Sequence, residues 1–364
     1  MKNFFPSILL VFCVISVSCS INNSNYGKET SIVGTFVMNQ GSGSANGSVT
    51  HYHADTLTNE LFNEINDRPL TGEMLAASFG SEKGYFLMSE GNSSVIEKVN
   101  LDDFKSEMTS ASVANATDVV CVSDTFVYAT IAGADEMTSG ELLKIDATTL
   151  SIKETIKVGI NPTKIAYDKG KLVYVANTSD LENGIMIVDL VRNQTIDTVK
   201  IETLVNPVDM VIDVHSNLWV LCEGEGESPK SNAGLVRISY TANDEGERDV
   251  TNLPFDGGYY GKGRRGISTS LGGGTVYYIN KGAYSFNVND FDKLDADNDY
   301  GLNFKKVFGQ DYADVVFDAV DVSSRNGMFY STLSEESKVI VFDSFGIMEE
   351  EIEVGTKPRN CLFR

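Results

Sequence analysis

Positive charge is scarce in this chain of 364 residues, which carries 29 Lys and Arg against 51 Asp and Glu, a formal net charge of -22. Proteins that bind nucleic acids place basic groups along the phosphates and release counterions, and an acidic surface opposes that contact. The charge balance therefore argues against DNA and RNA as partners.

Cysteine is also scarce, with five residues in the whole chain. Cys13 and Cys19 belong to the N-terminal segment, and Cys121, Cys222 and Cys361 lie in or beside apolar runs. None of the last three has a Cys-x-x-Cys partner or a neighbouring His. We therefore expect them to be buried as small apolar residues rather than paired or reactive.

The signatures of common catalytic sites are absent. The chain has no serine-nucleophile elbow, phosphate-binding loop, haem-binding Cys pair or zinc signature. Of its three histidines, His51 and His53 would share one sheet face while His215 is distant, and packing or surface roles are favoured for all three. The sequence thus predicts a protein that is not an enzyme and requires no cofactor.

The longest apolar run is N-terminal, from Phe4 to Val17, and it is broken by Pro6 and too short to span a bilayer. With Lys2 before it, the run is typical of a secretory signal. It ends at Cys19 in a pattern that resembles a bacterial lipoprotein processing site, where the cysteine becomes the lipidated N-terminus. A plain cleaved signal peptide with an incidental cysteine is the alternative.

These features predict three parts: a lipoprotein signal peptide at 1–18, a flexible polar tether at 19–30 and one folded domain at 31–364. The protein would be exported as an outer-membrane lipoprotein, on the cell surface or on the periplasmic side. Its contact with the membrane would be made only through the lipid anchor.

A strand pattern repeats through the rest of the chain. Corresponding strands begin at Gly47, Ser93, Gly140, Gly184, Gly234, Gly282 and Ser337. These starts are 44 to 55 residues apart. Short β-branched and aromatic strands at this spacing, with no helix expected between them, indicate an all-β, seven-bladed β-propeller of four-stranded antiparallel blades. The unit that opens each repeat recurs once more at the C-terminus, from Gly355 to Arg364, so we expect this last strand to join blade one and close the ring.

The repeats resemble known propellers. Leu172 to Asn177, Ile187 to Asp189 and Val158 to Ala166 are similar to the Tyr-Val-Thr-Asn repeats of surface-layer and YncE-like seven-bladed propellers. The opening of blade one, Phe36 to Val49 with Arg68 to Leu70, resembles the DUF5074 lipoproteins of Bacteroidetes. That group includes cobalamin-capturing surface lipoproteins. The resemblance implies a small-molecule ligand such as cobalamin and, as a partner, an outer-membrane TonB-dependent transporter.

Polar loops should converge on one face of such a ring. The connections that enter each innermost strand and those between the second and third strands lie at the same end, because the strands alternate in direction. This face is the predicted ligand site. Its candidate residues near the axis are Asn115, Asp118, Asn161, Lys164, Asn206, Asp209, Asp318, Arg359 and Asn360. For Asn161 and Asn206, each followed by proline, turn formation is an alternative role.

One loop on this face is basic and aromatic in an otherwise acidic chain. Its candidate ligand-binding residues are Tyr259, Tyr260, Lys262, Arg264 and Arg265. Tyrosine rings offer stacking surface, and guanidinium groups offer planar donors for carboxylate, amide or phosphate groups. An internal ion-pair network with acidic loops would explain the same residues equally well.

Alternating carboxylates at Asp295, Asp297 and Asp299 resemble part of a calcium-binding loop. Tyr300 occupies the position of the loop glycine, and Lys306 stands where a bidentate Glu would complete the site. A solvated acidic turn is therefore favoured over a Ca²⁺ site.

Three functional hypotheses follow. The first is noncovalent capture of a ligand on the loop-rich face, with a corrinoid as the specific candidate. The second is a protein- or glycan-binding scaffold in a surface nutrient-uptake complex, which would need a broad apolar or aromatic face. The third is a propeller-type hydrolase or lyase, which would need converging carboxylates or a histidine near the axis.

Overall fold

The repeating strands form one antiparallel sheet per repeat. The computed structural model describes residues 31–43, 45–179, 182–225, 232–244, 246–255, 266–291 and 305–364. In these ranges, seven sheets follow one another in chain order, and the innermost strands of successive sheets pack side by side. The predicted seven-bladed propeller is confirmed.

The strands of the first four blades range from two to nine residues in length. Blade one contains β1 (Thr35–Asn39), β2 (Ser48–His53) and β3 (Thr56–Thr58), followed by helix α1 (Leu61–Asn66). Blade two contains β4 (Glu73–Phe79), β5 (Lys83–Glu90), β6 (Ser93–Asn100), β7 (Ser106–Thr109) and β8 (Val113–Ala114). Blade three contains β9 (Ala116–Cys121), β10 (Phe126–Ile131), β11 (Ser139–Asp146) and β12 (Ile152–Ile160). Blade four contains β13 (Pro162–Tyr167), β14 (Leu172–Asn177), β15 (Gly184–Asp189) and β16 (Gln194–Lys200).

The second half repeats this order with shorter strands in blade six. Blade five contains β17 (Pro207–Ile212), β18 (Leu218–Cys222), β19 (Gly234–Ala242) and β20 (Arg248–Pro254). Blade six contains β21 (Ile267–Thr269), β22 (Thr275–Ile279), β23 (Ala283–Asn287) and β24 (Lys305–Lys306). Blade seven contains β25 (Ala319–Val322), β26 (Phe329–Leu333), β27 (Lys338–Phe342) and β28 (Met348–Glu353), and β29 (Pro358–Phe363) ends the chain. Single 3₁₀ turns lie at Val288–Asp290 and Gln310–Tyr312.

The C-terminal strand closes the ring as predicted. β29 pairs antiparallel with β1, with Cys361 opposite Val37 and Phe363 opposite Thr35, and it forms the innermost strand of blade one. Gly34 and Arg364 exchange two further backbone hydrogen bonds of 3.0 and 3.1 Å. The first and last strands of the domain therefore form one sheet.

The core lies between the blades. In the described chain, buried apolar side chains form one cluster at each junction between neighbouring sheets. Both faces of a second strand such as β14 are buried, whereas burial alternates with exposure along the outer strand β16. A sheet that is covered on both faces requires a near-continuous apolar sequence, and this is why Leu172 to Ala176 has one.

Helix α1 was not expected from the sequence. Its six residues connect β3 to β4, and Leu61 and Phe62 are buried against the core between blades one and two. Asn66 fastens the last turn by donating its amide to the carbonyls of Phe62 and Phe104 at 2.9 and 3.1 Å. The connection is helical because it covers apolar surface that the short strand β3 leaves open.

The cysteines behave largely as expected. Cys222 and Cys361 are buried in strands, and Cys121 is half-buried; all three are free thiols. Burial raises the pKa of Cys121 to about 11. Within the described ranges, no helix is long and apolar enough to cross a membrane.

Candidate ligand-binding face

The two ends of the propeller differ in which connections they carry. We define the upper face by the connections that enter each innermost strand and those between the second and third strands. The lower face carries the connections between the first and second strands and between the third and fourth strands. The axial candidate residues predicted from the sequence and described here all lie on or just below the upper face.

A left-handed residue marks the corner before an innermost strand. Asn115, Asn161, Asn206 and Lys357 have φ values of 54, 49, 58 and 54°. The carbonyl of each accepts a backbone N–H from the residue that follows the neighbouring second strand, at 2.8 to 3.1 Å. Asn tolerates this conformation better than most residues because its short polar side chain bonds locally. The corners therefore tie the two sets of upper loops together.

Two of these asparagines also use their side chains to hold the loop. The amide of Asn161 donates to both the carbonyl and the hydroxyl of Thr178 at 2.8 Å. The amide of Asn206 donates to the carbonyl of Gly224 at 2.9 Å. Both amide groups therefore act in turn formation, which is the alternative role for the two Asn-Pro pairs.

Asp118 and Lys164 join blades three and four near the axis. Asp118 is 2% exposed, and its Oδ2 accepts the backbone N–H of Ile165 at 2.9 Å and lies 3.2 Å from the ammonium of Lys164. Its Oδ1 is buried and has no hydrogen-bond partner among the described residues. A carboxylate bound in this way stabilises the ring by connecting adjacent innermost strands.

Equivalent contacts link other blades. The Oδ2 of Asp321 accepts the N–H of Cys361 at 2.7 Å across the junction of blades seven and one. Arg359 donates to the carbonyl of Met74 at 3.2 Å, which connects blade one to blade two. These polar groups near the axis therefore join neighbouring blades by hydrogen bonds.

The remaining described candidates are also enclosed. Asp318 accepts the N–H of Ser334 at 2.6 Å, and buried Asp209 accepts that of Met210 at 3.0 Å. Asn360 is 3% exposed on β29, and its Nδ2 has no hydrogen-bond partner among the described residues.

Several predicted residues fall outside the described ranges. These are Cys19, Tyr259, Tyr260, Lys262, Arg264, Arg265, Asp295, Asp297 and Asp299. Their proposed roles in lipidation, ligand binding and calcium binding stay predictions. In chain order, the three aspartates fall between β23 and β24.

An open cleft lies between blades three and four on the upper face. Cleft A has a volume of about 630 Å³. It is lined by Ala132, Gly133, Asp135, Glu136, Met137, Asn161, Thr178 and Ser179. These residues come from the β10–β11 loop, the corner before β13 and the loop after β14.

Cleft A combines negative charge with one exposed apolar side chain. Asp135 accepts hydrogen bonds from the Thr138 hydroxyl at 2.7 Å and from the Met137 N–H at 3.0 Å. These bonds hold the pKa of Asp135 below its usual value, so its carboxylate is charged at neutral pH. Met137 beside it is 78% exposed. Such a surface suits a ligand that has both hydrogen-bond donors and apolar parts.

A second cleft occupies the equivalent position between blades one and two. Cleft B has a volume of about 560 Å³. It is lined by Ser42, Gly43, Ala45, Asn46, Thr71, Gly72, Glu73, Ser89, Glu90 and Gly91. Gln40 donates to Glu73 at 3.0 Å, and Asn46 accepts the N–H of Gly72 at 3.1 Å, so contacts between blades also organise this cleft.

The histidines lie away from both clefts. His51 and His53 stack on β2 with ring centroids 6.5 Å apart, and the Nε2 of His51 is 3.0 Å from the carbonyl of Val33. His215 bonds to Asn289 at 2.8 Å in a lower loop. Within the part of the chain that the structure describes, no group of three or more His, Cys, Asp or Glu residues is placed to hold a metal ion.

The fold is shared with proteins of different activities. A chain of hydrazine synthase from Kuenenia stuttgartiensis matches with a TM-score of 0.66 at 14% identity, over 88% of this chain and 98% of that one. A quinonprotein alcohol dehydrogenase-like protein from Bacteroides thetaiotaomicron matches at 0.63 and 16%, over 91% and 78%. The periplasmic gluconolactonase of Pseudomonas aeruginosa matches at 0.63 and 12%, over 91% and 98%. No family model and no curated protein sequence matches the chain. At these identities the likeness shows the fold alone.

The sequence predicts that these loops share one end of the ring, and among the residues that line cleft A it singles out Asn161 but not Asp135, Glu136 or Met137. Asp135, Glu136 and Met137 belong to a loop that was expected there. The signal that could have distinguished them is an exposed methionine directly after two carboxylates, in a loop with no proline. Which loops enclose a cleft depends on the placement of three separate segments.

Proposed function

We propose that the protein is an exported, lipid-anchored propeller that binds a small molecule noncovalently on its upper face. The observation that carries this proposal is the pair of equivalent clefts, A and B, each bounded by three loops and lined by polar side chains. Concave sites with a few placed polar groups are the usual form of a ligand site.

Binding, rather than catalysis, is supported by how the axial carboxylates are used. Asp118 accepts the backbone N–H of Ile165 across blades three and four, and Asp318 accepts that of Ser334 within blade seven. A carboxylate committed to such contacts positions structure and is poorly placed to transfer a proton to a ligand.

The specific ligand that we propose is a corrinoid, handed on to an outer-membrane transporter. This part rests on the resemblance of blade one to the cobalamin-capturing lipoproteins. It is chemically compatible with cleft A, because the peripheral amides of a corrinoid are donors for Asp135 and Glu136 while its apolar edge could contact Met137.

Isothermal titration calorimetry of the mature chain against cobalamin, cobinamide and oligosaccharides tests the proposal. We expect saturable binding of the corrinoids and none of the oligosaccharides. Asp135→Asn with Glu136→Gln should weaken corrinoid binding, and so should Arg264→Ala with Arg265→Ala. The matched control is Asp146→Asn, which changes a carboxylate on the lower face.

Two results would overturn parts of this proposal. If a heat of binding is measured with oligosaccharides and not with corrinoids, the ligand is a glycan and the upper face remains the proposed binding surface. Corrinoid binding that none of the upper-face substitutions changes would place the site elsewhere.

A further inference from the structure

Large apolar side chains are exposed unequally at the two ends of the propeller. In the described connections of the lower face, five are exposed: Val191 at 77%, Val214 at 52%, Leu271 at 75%, Phe345 at 84% and Ile347 at 61%. In the described connections of the upper face, two are exposed: Met137 at 78% and Val316 at 40%. Single exposed apolar residues are common on proteins, but a concentration at one end calls for a partner.

The apolar tips of the lower face are held in fixed turns. Asp343 accepts the N–H groups of Phe345 and Ile347 at 2.9 and 2.8 Å. Asp189 accepts the N–H of Val191 at 2.8 Å in the equivalent turn of blade four. Each carboxylate is directed into its own turn, and the apolar residue is left at the tip. These side chains are therefore presented to the outside by ordered structure.

Neighbouring lower loops are also connected to each other. The N–H of Val214 donates to the carbonyl of Gly273 at 3.0 Å, which brings the loops that carry Val214 and Leu271 together. The lower loops of blades five and six are thus joined to each other.

The chain enters the propeller at this same end. Ser31 bonds to Asp102 at 2.7 Å, and the N–H of Ile32 donates to the carbonyl of Asp102 at 2.9 Å, in the lower loop between β6 and β7. The described domain therefore begins at its lower face. The eleven residues from Ser20 to Thr30 can span at most about 40 Å when fully extended. A lipid on Cys19, or the apolar run before it, would hold the lower face near the bilayer.

From these observations we propose that the lower face docks on a lipid bilayer, with Leu271 and Phe345 inserted among the headgroups and the upper face directed away from the membrane. This exceeds the expectation that the lipid anchor is the only membrane contact. The net charge of -22 gives no attraction to anionic lipid, so the contact is hydrophobic and should form on zwitterionic phosphatidylcholine.

Tryptophan fluorescence tests this orientation directly. The chain has one tryptophan, Trp219, which is fully buried and supplies a constant background. Leu271→Trp and Phe345→Trp would be compared with Met137→Trp, an upper-face control of similar exposure. The full chain, with its N-terminal segment, would be bound to phosphatidylcholine vesicles with and without brominated acyl chains.

We expect emission from positions 271 and 345 to shift to shorter wavelength and to be quenched by the brominated lipid, while position 137 stays in water. In the same chain, Leu271→Ser with Phe345→Ser should lower vesicle partitioning about tenfold or more, because two large apolar contacts are lost. Met137→Ser should leave partitioning unchanged.

Two outcomes would overturn the proposal. One is equal solvent exposure of positions 137, 271 and 345 in the presence of vesicles, which would indicate that the lower face binds a protein rather than lipid. The other is a blue shift at 271 and 345 that needs no vesicles and grows with protein concentration, which would make the occupant a second copy of the chain. Calorimetry reports on the upper face and this experiment on the lower face, so either proposal can fail alone.

Discussion

The upper and lower faces of this propeller reverse the chain with different chemistry. On the upper face, left-handed asparagines such as Asn161 form the corners, and their amides reach across to the next loop. On the lower face, aspartates such as Asp189 accept the N–H groups of their own turn. An upper corner therefore joins separate segments and encloses space between them, whereas a lower turn such as that of Asp189 is closed by hydrogen bonds to its own carboxylate and leaves an apolar residue at its tip.

The comparison depends first on the ring being closed, since an open ring would have no common faces. Deleting residues 357–364 removes β29, exposes the edge of β1 and uncovers the core between blades seven and one. We expect loss of the cooperative thermal transition measured by circular dichroism. Arg364→Ala, which keeps the strand, is the control and should retain the transition. A truncated chain that melts like the full chain would show that β29 is dispensable.

A buried axial contact should matter more than any exposed loop contact. Asp118→Ala removes the acceptor for Ile165 and leaves the ammonium of Lys164 without this carboxylate, which should lower the free energy of unfolding by about 3–5 kcal/mol. Urea denaturation measures the change. Asp118→Asn keeps an oxygen near Ile165 and should lose less. Equal losses for both variants would show that the charge, rather than the hydrogen bond, sets the cost.

Substitutions at Asn161 separate the two contributions of an upper corner. Asn161→Ala removes the hydrogen bonds to Thr178. It also places at positive φ an alanine, whose side chain cannot stabilise that conformation by local hydrogen bonding. We expect the free energy of unfolding to fall by about 1–2 kcal/mol. Asn161→Gly restores the backbone freedom and loses only the side-chain bonds. Urea midpoints of the two variants give the difference. If Gly is as destabilising as Ala, the backbone conformation contributes nothing.

The lower turns should be sensitive to acid. Backbone N–H groups of Thr149 and Arg192 lower the pKa of Asp146 and Asp189, respectively, below the ordinary value. Such groups bind fewer protons in the folded state, so their stabilisation is complete above the unfolded pKa of about 3.9 and is lost as the pH falls through the lowered value.

This effect is the smallest of the four because each of these carboxylates accepts N–H groups of its own turn and does not join two blades. We expect Asp189→Asn to lower the urea midpoint at pH 7 and to differ little from the unsubstituted chain near pH 2. A difference between the Asp189→Asn variant and the unsubstituted chain that does not shrink in acid would contradict the assignment.

The fold could be predicted because the repeat fixes it. Strands such as β14 need apolar residues on both faces, and the recurrence of the first-strand pattern after Gly355 marks the closing strand. Helix α1 escaped prediction because six residues are too few to show a helical period, and only the packing of Leu61 and Phe62 reveals why it forms.

The candidate site could be predicted only as a face. Asn161 and Asp118 have the polar groups expected of ligand contacts, yet both are engaged by neighbouring segments. These hydrogen bonds depend on which blades are neighbours and on atomic positions to within a few tenths of an ångström. The local sequence determines neither. Cleft A arises where three loops fail to fill the space between two twisted sheets, which no single segment encodes.

The pairing of β29 with β1 also has a consequence in time. A chain delivered from its N-terminus through a pore presents β1 before the other strands of the ring and β29 after them, so blade one stays without its innermost strand until β29 has been delivered. During that interval the edge of β1 is open to pairing with any extended segment nearby. The hydrogen bonds between β1 and β29 can therefore form only after all the strands between them have been delivered. Their formation completes blade one and closes the ring.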